Sequence, residues 1–156
     1  YSNSSRTLYS YDESKNLVEE TYQDWSSSLS EWTNADKTLY TYNANNNVLT
    51  ETFYSSDSNG NSLVLEDRTS YSYNSDGNLI QLLSEEYVNS VWVNTFKFDL
   101  VYSNGKISSG LSYEWNGSDW IFGEDSSRLT INYENDKVSF CPISGFNGNN
   151  CSPMGN

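Results

Sequence analysis

Four groups of residues have types and spacings that could do chemistry. Glu19-Glu20 and Glu85-Glu86 are acid doublets, and glycoside hydrolysis needs two carboxylates across a sugar. Neighbouring strand residues point to opposite faces, so neither doublet makes such a pair by itself. Both read as solvated surface acids. The run Asp57 to Asn61 resembles a calcium loop, but Gly60 stands fourth where an EF-hand needs its glycine sixth, and position twelve is Arg68 rather than Glu. It reads as a turn. Cys141 and Cys151 flank "PISGFNGNN", and a disulfide there would close a short loop worth about 3 kcal/mol. It would also imply an oxidising compartment and hence export. The chain has no His, which excludes Ser-His-Asp and Cys-His arrangements and disfavours a metal site on two isolated thiols. No catalytic residue, metal site or cofactor is expected.

The fourth group is aromatic. Trp25, Trp32, Trp92, Trp115 and Trp120, with Tyr87, fall at one class of turn. A row of exposed rings can stack on sugars, so these six residues are the candidate carbohydrate-binding set. The competing reading is hairpin closure, because facing aromatic pairs stabilise a turn by about 0.5–1.5 kcal/mol beyond their area.

An internal repeat positions these residues. "YSYDESKNLVEET" at 9–21 returns as "YTYNANNNVLTET" at 40–52 and "YSYNSDGNLIQLL" at 71–83. Its second Tyr is Tyr11, Tyr42, Tyr73, Tyr102 and Tyr133, at steps of 31, 31, 29 and 31. Five residues before it stand Arg6, Lys37, Arg68, Lys97 and Arg128. Lys15, Lys106 and Lys137 sit four residues after it and mark the opposite turns. Tyr1, Trp32, Leu63 and Trp92 hold the position ten before, and Trp120 comes three residues early. Several columns sharing one register define repeated supersecondary units.

Each unit reads as two strands and two turns. Strands are expected at 1–11, 17–25, 32–42, 48–56, 63–73, 79–87, 92–102, 107–115 and 120–133, with a short one at 138–140. In "TLYTY", Thr38, Tyr40 and Tyr42 alternate with Leu39 and Thr41. "NSDGN", "SNGK", "ENDK" and "NGSD" supply turn residues that tolerate positive φ. The fold class is all-β: an antiparallel meander of about ten strands from five hairpin repeats, over residues 1–140, then a Cys-stapled segment, 141–156. Facing Trp25 with Trp32 predicts Lys37 opposite Glu20. Facing Ser56 with Leu63 predicts Arg68 opposite Glu51. Ile, Leu and Val number only 26, too few for the aliphatic face of a closed barrel. A twisted open sheet covered by Tyr and Trp suits the composition better, with an up-and-down barrel or a sandwich as the alternative.

Ser and Asn make 49 of 156 residues, and net charge is −13. That field repels nucleic acid and anionic membranes. No apolar run approaches 18 residues, so no membrane insertion is expected. The chain starts at Tyr1, which suggests a processed or trimmed end.

"YSYDESKNLVEE" and "YSYNSDGNLIQ" resemble the YD-type repeats of RHS proteins, built on Tyr-Asp, a turn and Gly-Asn-Leu. The 31-residue unit with Trp at its far turn, as in "WTNADKTLYTYN", resembles the Tyr/Trp hairpin repeats of secreted cell-surface proteins of Bacteroidetes-type bacteria. The likeness spans 1–140. Only Tyr11-Asp12 is a true YD, and only Gly77-Asn78-Leu79 keeps the triplet. The resemblance implies an extracellular or cell-surface location and no particular activity.

The expected function is therefore that of an exported, non-enzymatic structural or adhesive repeat protein of the bacterial surface. The alternative is a carbohydrate-binding module on the Trp row. The expected partners are other copies of the chain or another surface protein, recruited by edge-strand pairing, with glycan as the alternative ligand. Residues 1–11 have no Pro and one charge, Arg6, and so form a poorly protected edge. A head-to-tail contact made there would propagate into fibres.

Overall fold

A computed structural model of the chain describes residues 4–57, 62–122, 128–134, 137–142 and 152–153. Past Phe122 the description is of backbone strands. The strands are β1 (Ser5–Tyr11), β2 (Leu17–Ser26), β3 (Glu31–Tyr42), β4 (Val48–Ser56), β5 (Leu63–Tyr73), β6 (Leu79–Val88), β7 (Val91–Ser103), β8 (Lys106–Trp115), β9 (Trp120–Ile121), β10 (Arg128–Glu134), β11 (Lys137–Pro142) and β12 (Ser152–Pro153). They lie side by side in chain order through β8, then β10, β11 and β12, while β9 pairs with the far end of β8. The path does not return to β1, so the sheet is an open antiparallel meander and not a barrel or a sandwich. The expected strand 120–133 is divided between β9 and β10. No helix of the structure is long and apolar enough to cross a membrane.

Contacts divide the chain into two units, Tyr1–Tyr71 with Ser84–Val93, and Ser72–Leu83 with Asn94–Asn156. In the first unit, turns begin with a side chain that replaces a backbone acceptor. Asp12 Oδ1 accepts from the Asn16 N–H at 2.8 Å. Asn43 Oδ1 accepts from the Asn45 and Asn47 N–H groups at 2.9 and 3.0 Å. Lys15 and Asn46 take the positive φ that this geometry demands. The two turns are also tied together, as the Asn16 amide donates to Asn46 Oδ1 at 3.0 Å.

The second unit repeats the device at Asn74, whose Oδ1 accepts from Asp76 and Asn78. Gly77 holds the positive φ there, at 81°, where it carries no Cβ penalty. The next turn is tighter. Asn104 and Gly105 both have positive φ, so a two-residue type I′ turn joins β7 to β8. Asn89 and Ser90 of the first unit make the same turn between β6 and β7. It places Tyr87 and Trp92 five positions apart where Trp25 and Trp32 are seven apart. That is the origin of the 29-residue step.

The register differs from expectation by one residue, for one physical reason. Trp25 faces Trp32 and Gln23 faces Asn34, but Tyr22 then faces Asp36, leaving Ala35 as a bulge. Lys37 therefore faces Thr21, and Glu20 faces Thr38. In the next hairpin Tyr54 faces Leu65 and Phe53 faces Asp67, so Glu66 bulges and Arg68 faces Thr52, not Glu51. Ala35 and Glu66 occupy the same repeat position. Past the other turns Val18, Leu49 and Ser108 bulge in the same way. A bulge bends the strand and sharpens its twist.

Up to Phe122 the sheet has almost no interior. Among the described residues of that span only Thr21, Gly110 and Ser112 are buried, and no side chain is fully so. Gly110 is filled from across the strand pair: a Cβ there would meet Phe98 Cζ at 2.6 Å. The ring takes the place of the missing side chain, as aromatic residues do over strand glycines.

Candidate functional site

The bulges decide which side chains share a face. Trp32 and Lys37 are five apart and would oppose each other in a regular strand. With Ala35 bulged, both stand on the face of Trp25 and Thr21. Leu63 and Arg68 come to one face around Glu66 in the same way.

In the first unit the aromatic residues meet in pairs. Trp25 and Trp32 lie edge to face, centroids 5.4 Å apart at 72°. Tyr87 and Trp92 are tilted at 60°, 5.0 Å apart. Each pair is topped by a base from two strands away. The Arg6 guanidinium lies 4.4 Å over Trp32, and that of Arg68 lies 4.3 Å over Trp92. Arg6 Nε also donates to Gln23 Oε1 at 2.7 Å, and Gln23 donates on to Asn34 Oδ1 at 2.6 Å. Arg68 is held by Glu85, with Nη2 and Nε at 2.6 and 2.9 Å from one carboxylate oxygen. Lys37 has no Trp to cover and pairs with Glu19 at 2.8 Å.

The second unit carries the remaining members of the set. Trp115 faces Trp120, with rings 5.1 Å apart at 64°. Lys97 lies over Tyr113 at 4.5 Å and Trp120 at 5.3 Å. Asn116 closes the turn, its Oδ1 accepting from the Ser118 and Asp119 N–H groups.

All six candidate aromatic residues thus form three edge-to-face or tilted pairs. Trp32, Trp92 and Trp120 each have a cation over the ring. Such packing favours the hairpin, by about 0.5–1 kcal/mol per exposed cation–π contact, while Trp25 and Tyr87 stay 41% and 36% exposed. An open groove of about 260 Å³ lies beside Trp32, lined by Leu29, Glu31, Thr33, Asn34, Ser62 and Leu63. The residues 58–61 of the expected turn lie outside the described residues. So do Cys151 and the segment that would be stapled, and of Cys141 only the backbone is described.

The acid doublets do not converge. Glu19 faces Leu39 and binds Lys37, which holds its carboxyl below the usual range. Glu20 lies on the other face, where with burial and Glu51 it pushes the Tyr40 hydroxyl up. Glu85 binds Arg68. Glu86 and Glu66 add to burial in raising Asp67. Among the described residues, no three His, Cys, Asp or Glu are grouped to hold a metal.

Sequence reading missed the bulges and the two-strand reach of Arg6, Arg68 and Lys97. The signal was present: a base five residues after an aromatic reaches the same face only if a bulge intervenes.

No family model matches the sequence, and no curated protein matches it. Solved structures do. A protein of unknown function from Bacteroides fragilis NCTC 9343 superposes with a TM-score of 0.58 at 14% identity, over 76% of this chain and 89% of that one. A DUF3836 family protein from Bacteroides vulgatus ATCC 8482 has a TM-score of 0.46 at 18% identity, over 60% of this chain and 92% of its own. One from Parabacteroides distasonis ATCC 8503 has 0.47 at 15%, over 62% and 91%. The first likeness is one of fold.

Proposed function

We propose that the chain is an exported, non-enzymatic structural or adhesive repeat protein of the bacterial surface, working by contact through its sheet. One observation carries this reading. Up to Phe122 the described residues include three buried ones and leave Leu8, Tyr9, Tyr11, Val91, Val101 and Phe122 roughly half exposed or more. Leu8, Tyr9 and Tyr11 lie on one strand, and apolar side chains so exposed are available for contact. The acidic, Ser/Asn-rich composition suits a solvated extracellular setting, and the likeness to YD-type hairpin repeats points the same way. Light scattering on the full chain tests it, alongside retention on bacterial envelopes. Mass rising with concentration, or retention that buffer does not remove, is expected. A constant monomer mass with no retention would contradict it.

The groove beside Trp32 favours one second reading, glycan binding, since it sets Glu31 and Asn34 next to an indole. A glycan array on the wild type and on Trp32→Ala tests that reading.

A further inference from the structure

The register sorts the charges of the first unit between the two faces of its sheet. Residues that face each other across a strand pair share a face. Arg6, Lys37 and Arg68 stand with Glu19 on the face of Trp25 and Trp32. Each base is engaged there: Arg6 by Trp32 and Gln23, Lys37 by Glu19, and Arg68 by Trp92 and Glu85. The opposite face carries Glu20, Asp36, Glu51 and Asp67, and no base from any of the strands β1 to β5.

An open groove of about 230 Å³ lies on that acidic face, lined by Glu20, Tyr22, Asp36, Thr38 and Phe53. Lys37 lines it too, but its ammonium is held on the other face by Glu19 at 2.8 Å. Asp36 faces Tyr22, while Glu20 and Phe53 face Thr38 from its two sides. Two carboxylates and two aromatic rings thus share one small depression. Neither Glu20 nor Asp36 forms a hydrogen bond or an ion pair with the described residues. Burial, then Glu20 and Glu51, push the neighbouring Tyr40 hydroxyl up, so the acids act on this face together. A second copy does not answer that charge. Each chain carries a net −13, and Arg6, Lys37 and Arg68 are already taken.

We propose that this face docks a basic segment of another protein, with one Lys or Arg side chain seated in the groove between Glu20 and Asp36, against Tyr22 and Phe53. The carboxylates supply opposite charge, and aromatic rings attract a cation to their faces. A face of one sign also steers a basic partner toward it and turns acidic ones away. This rests on the contact reading above and names the chemistry of the partner.

The probe is a synthetic peptide of alternating Lys and Thr added to the full chain, followed by amide NMR. Saturable shifts around Glu20, Asp36 and Phe53 are expected, weaker binding in added salt, and none from a peptide of alternating Glu and Thr. Glu20→Gln with Asp36→Asn should weaken binding about tenfold, the worth of two exposed ion pairs. Tyr22→Leu should weaken it about threefold, as loss of one cation–π contact. Glu19→Gln removes a charge from the next residue but the other face, and should leave binding unchanged. Weakening by Glu19→Gln equal to that by Glu20→Gln would mean attraction to net charge alone and would overturn the proposal. So would no saturation at millimolar peptide, or the same shifts from calcium chloride alone at equal concentration. A chain that ignores the peptide yet gains mass with concentration, or is retained on envelopes, keeps the contact reading and moves its contact off this face.

Discussion

The β2–β3 and β4–β5 strand pairs share a register and differ in the residues that face each other at its turn end. In both, facing residues seven apart flank the turn, and three or four regular pairs precede a one-residue bulge, at Ala35 or Glu66. The first is closed by Trp25 and Trp32 with Arg6 stacked above. The second is closed by Ser56 and Leu63, with no aromatic pair. The backbone register is therefore what these two hairpins hold in common. The aromatic closure is an addition that the β4–β5 hairpin does without.

Removing the common register should have the largest effect. Inserting one residue between Tyr22 and Gln23 gives Ala35 a partner and removes the bulge, which puts Trp32 and Lys37 on opposite faces, since a one-residue slip inverts every side chain beyond it. Denaturant unfolding should show a loss of more than about 3 kcal/mol, or no cooperative transition. A loss under about 1 kcal/mol would mean that the bulge is incidental.

Removing the addition should cost less. Trp32→Ala removes a half-buried indole, its edge-to-face partner and its cation, and should cost about 2–3 kcal/mol by the same assay. Leu63→Ala, at the matching position, should cost about 1 kcal/mol less. Equal losses would erase the distinction between the two hairpins.

Transplanting the addition is the reverse test. Ser56→Trp with Leu63→Trp should stabilise the chain by about 0.5–1.5 kcal/mol, and near-ultraviolet dichroism should report a new coupled Trp pair. A destabilised double variant would show that β4–β5 excludes aromatic closure.

The smallest effect lies beside the Glu66 bulge. Burial, then Glu66 and Glu86, hold the Asp67 carboxyl above its usual range. Its charged form is disfavoured in the fold, so the penalty is fully present above the folded pKa, declines as pH falls through it and is gone below the unfolded pKa. Asp67→Asn should therefore raise the melting temperature at pH 7 and leave it unchanged below about pH 3. A lower melting temperature at pH 7 would reverse the sign of that interaction.

Much of this architecture was legible in the sequence because its signals are local. Tyr, Thr and β-branched alternation marks the strands, and Asp12, Asn43, Asn74 and Asn104-Gly105 mark turns by their own side-chain and φ chemistry. The pairing of Trp25 with Trp32 and of Ser56 with Leu63 followed from the repeat. The Lys37–Glu20 and Arg68–Glu51 pairings failed because hydrophobic alternation is silent about a bulge at residues as unremarkable as Ala35 and Glu66. The cations over Trp32 and Trp92 were hidden for a related reason. They reach across an intervening strand, and only a correct register brings Arg6 and Arg68 to the indole face.

Hydrogen–deuterium exchange on a chain of this sequence tests most directly that the sheet is open. The outward amides of Ser5–Tyr11 should exchange fast in dilute solution, while those of Val48–Ser56 stay slow. If β1 is as protected as β4, its edge is covered within the monomer, and the account of an open sheet is wrong.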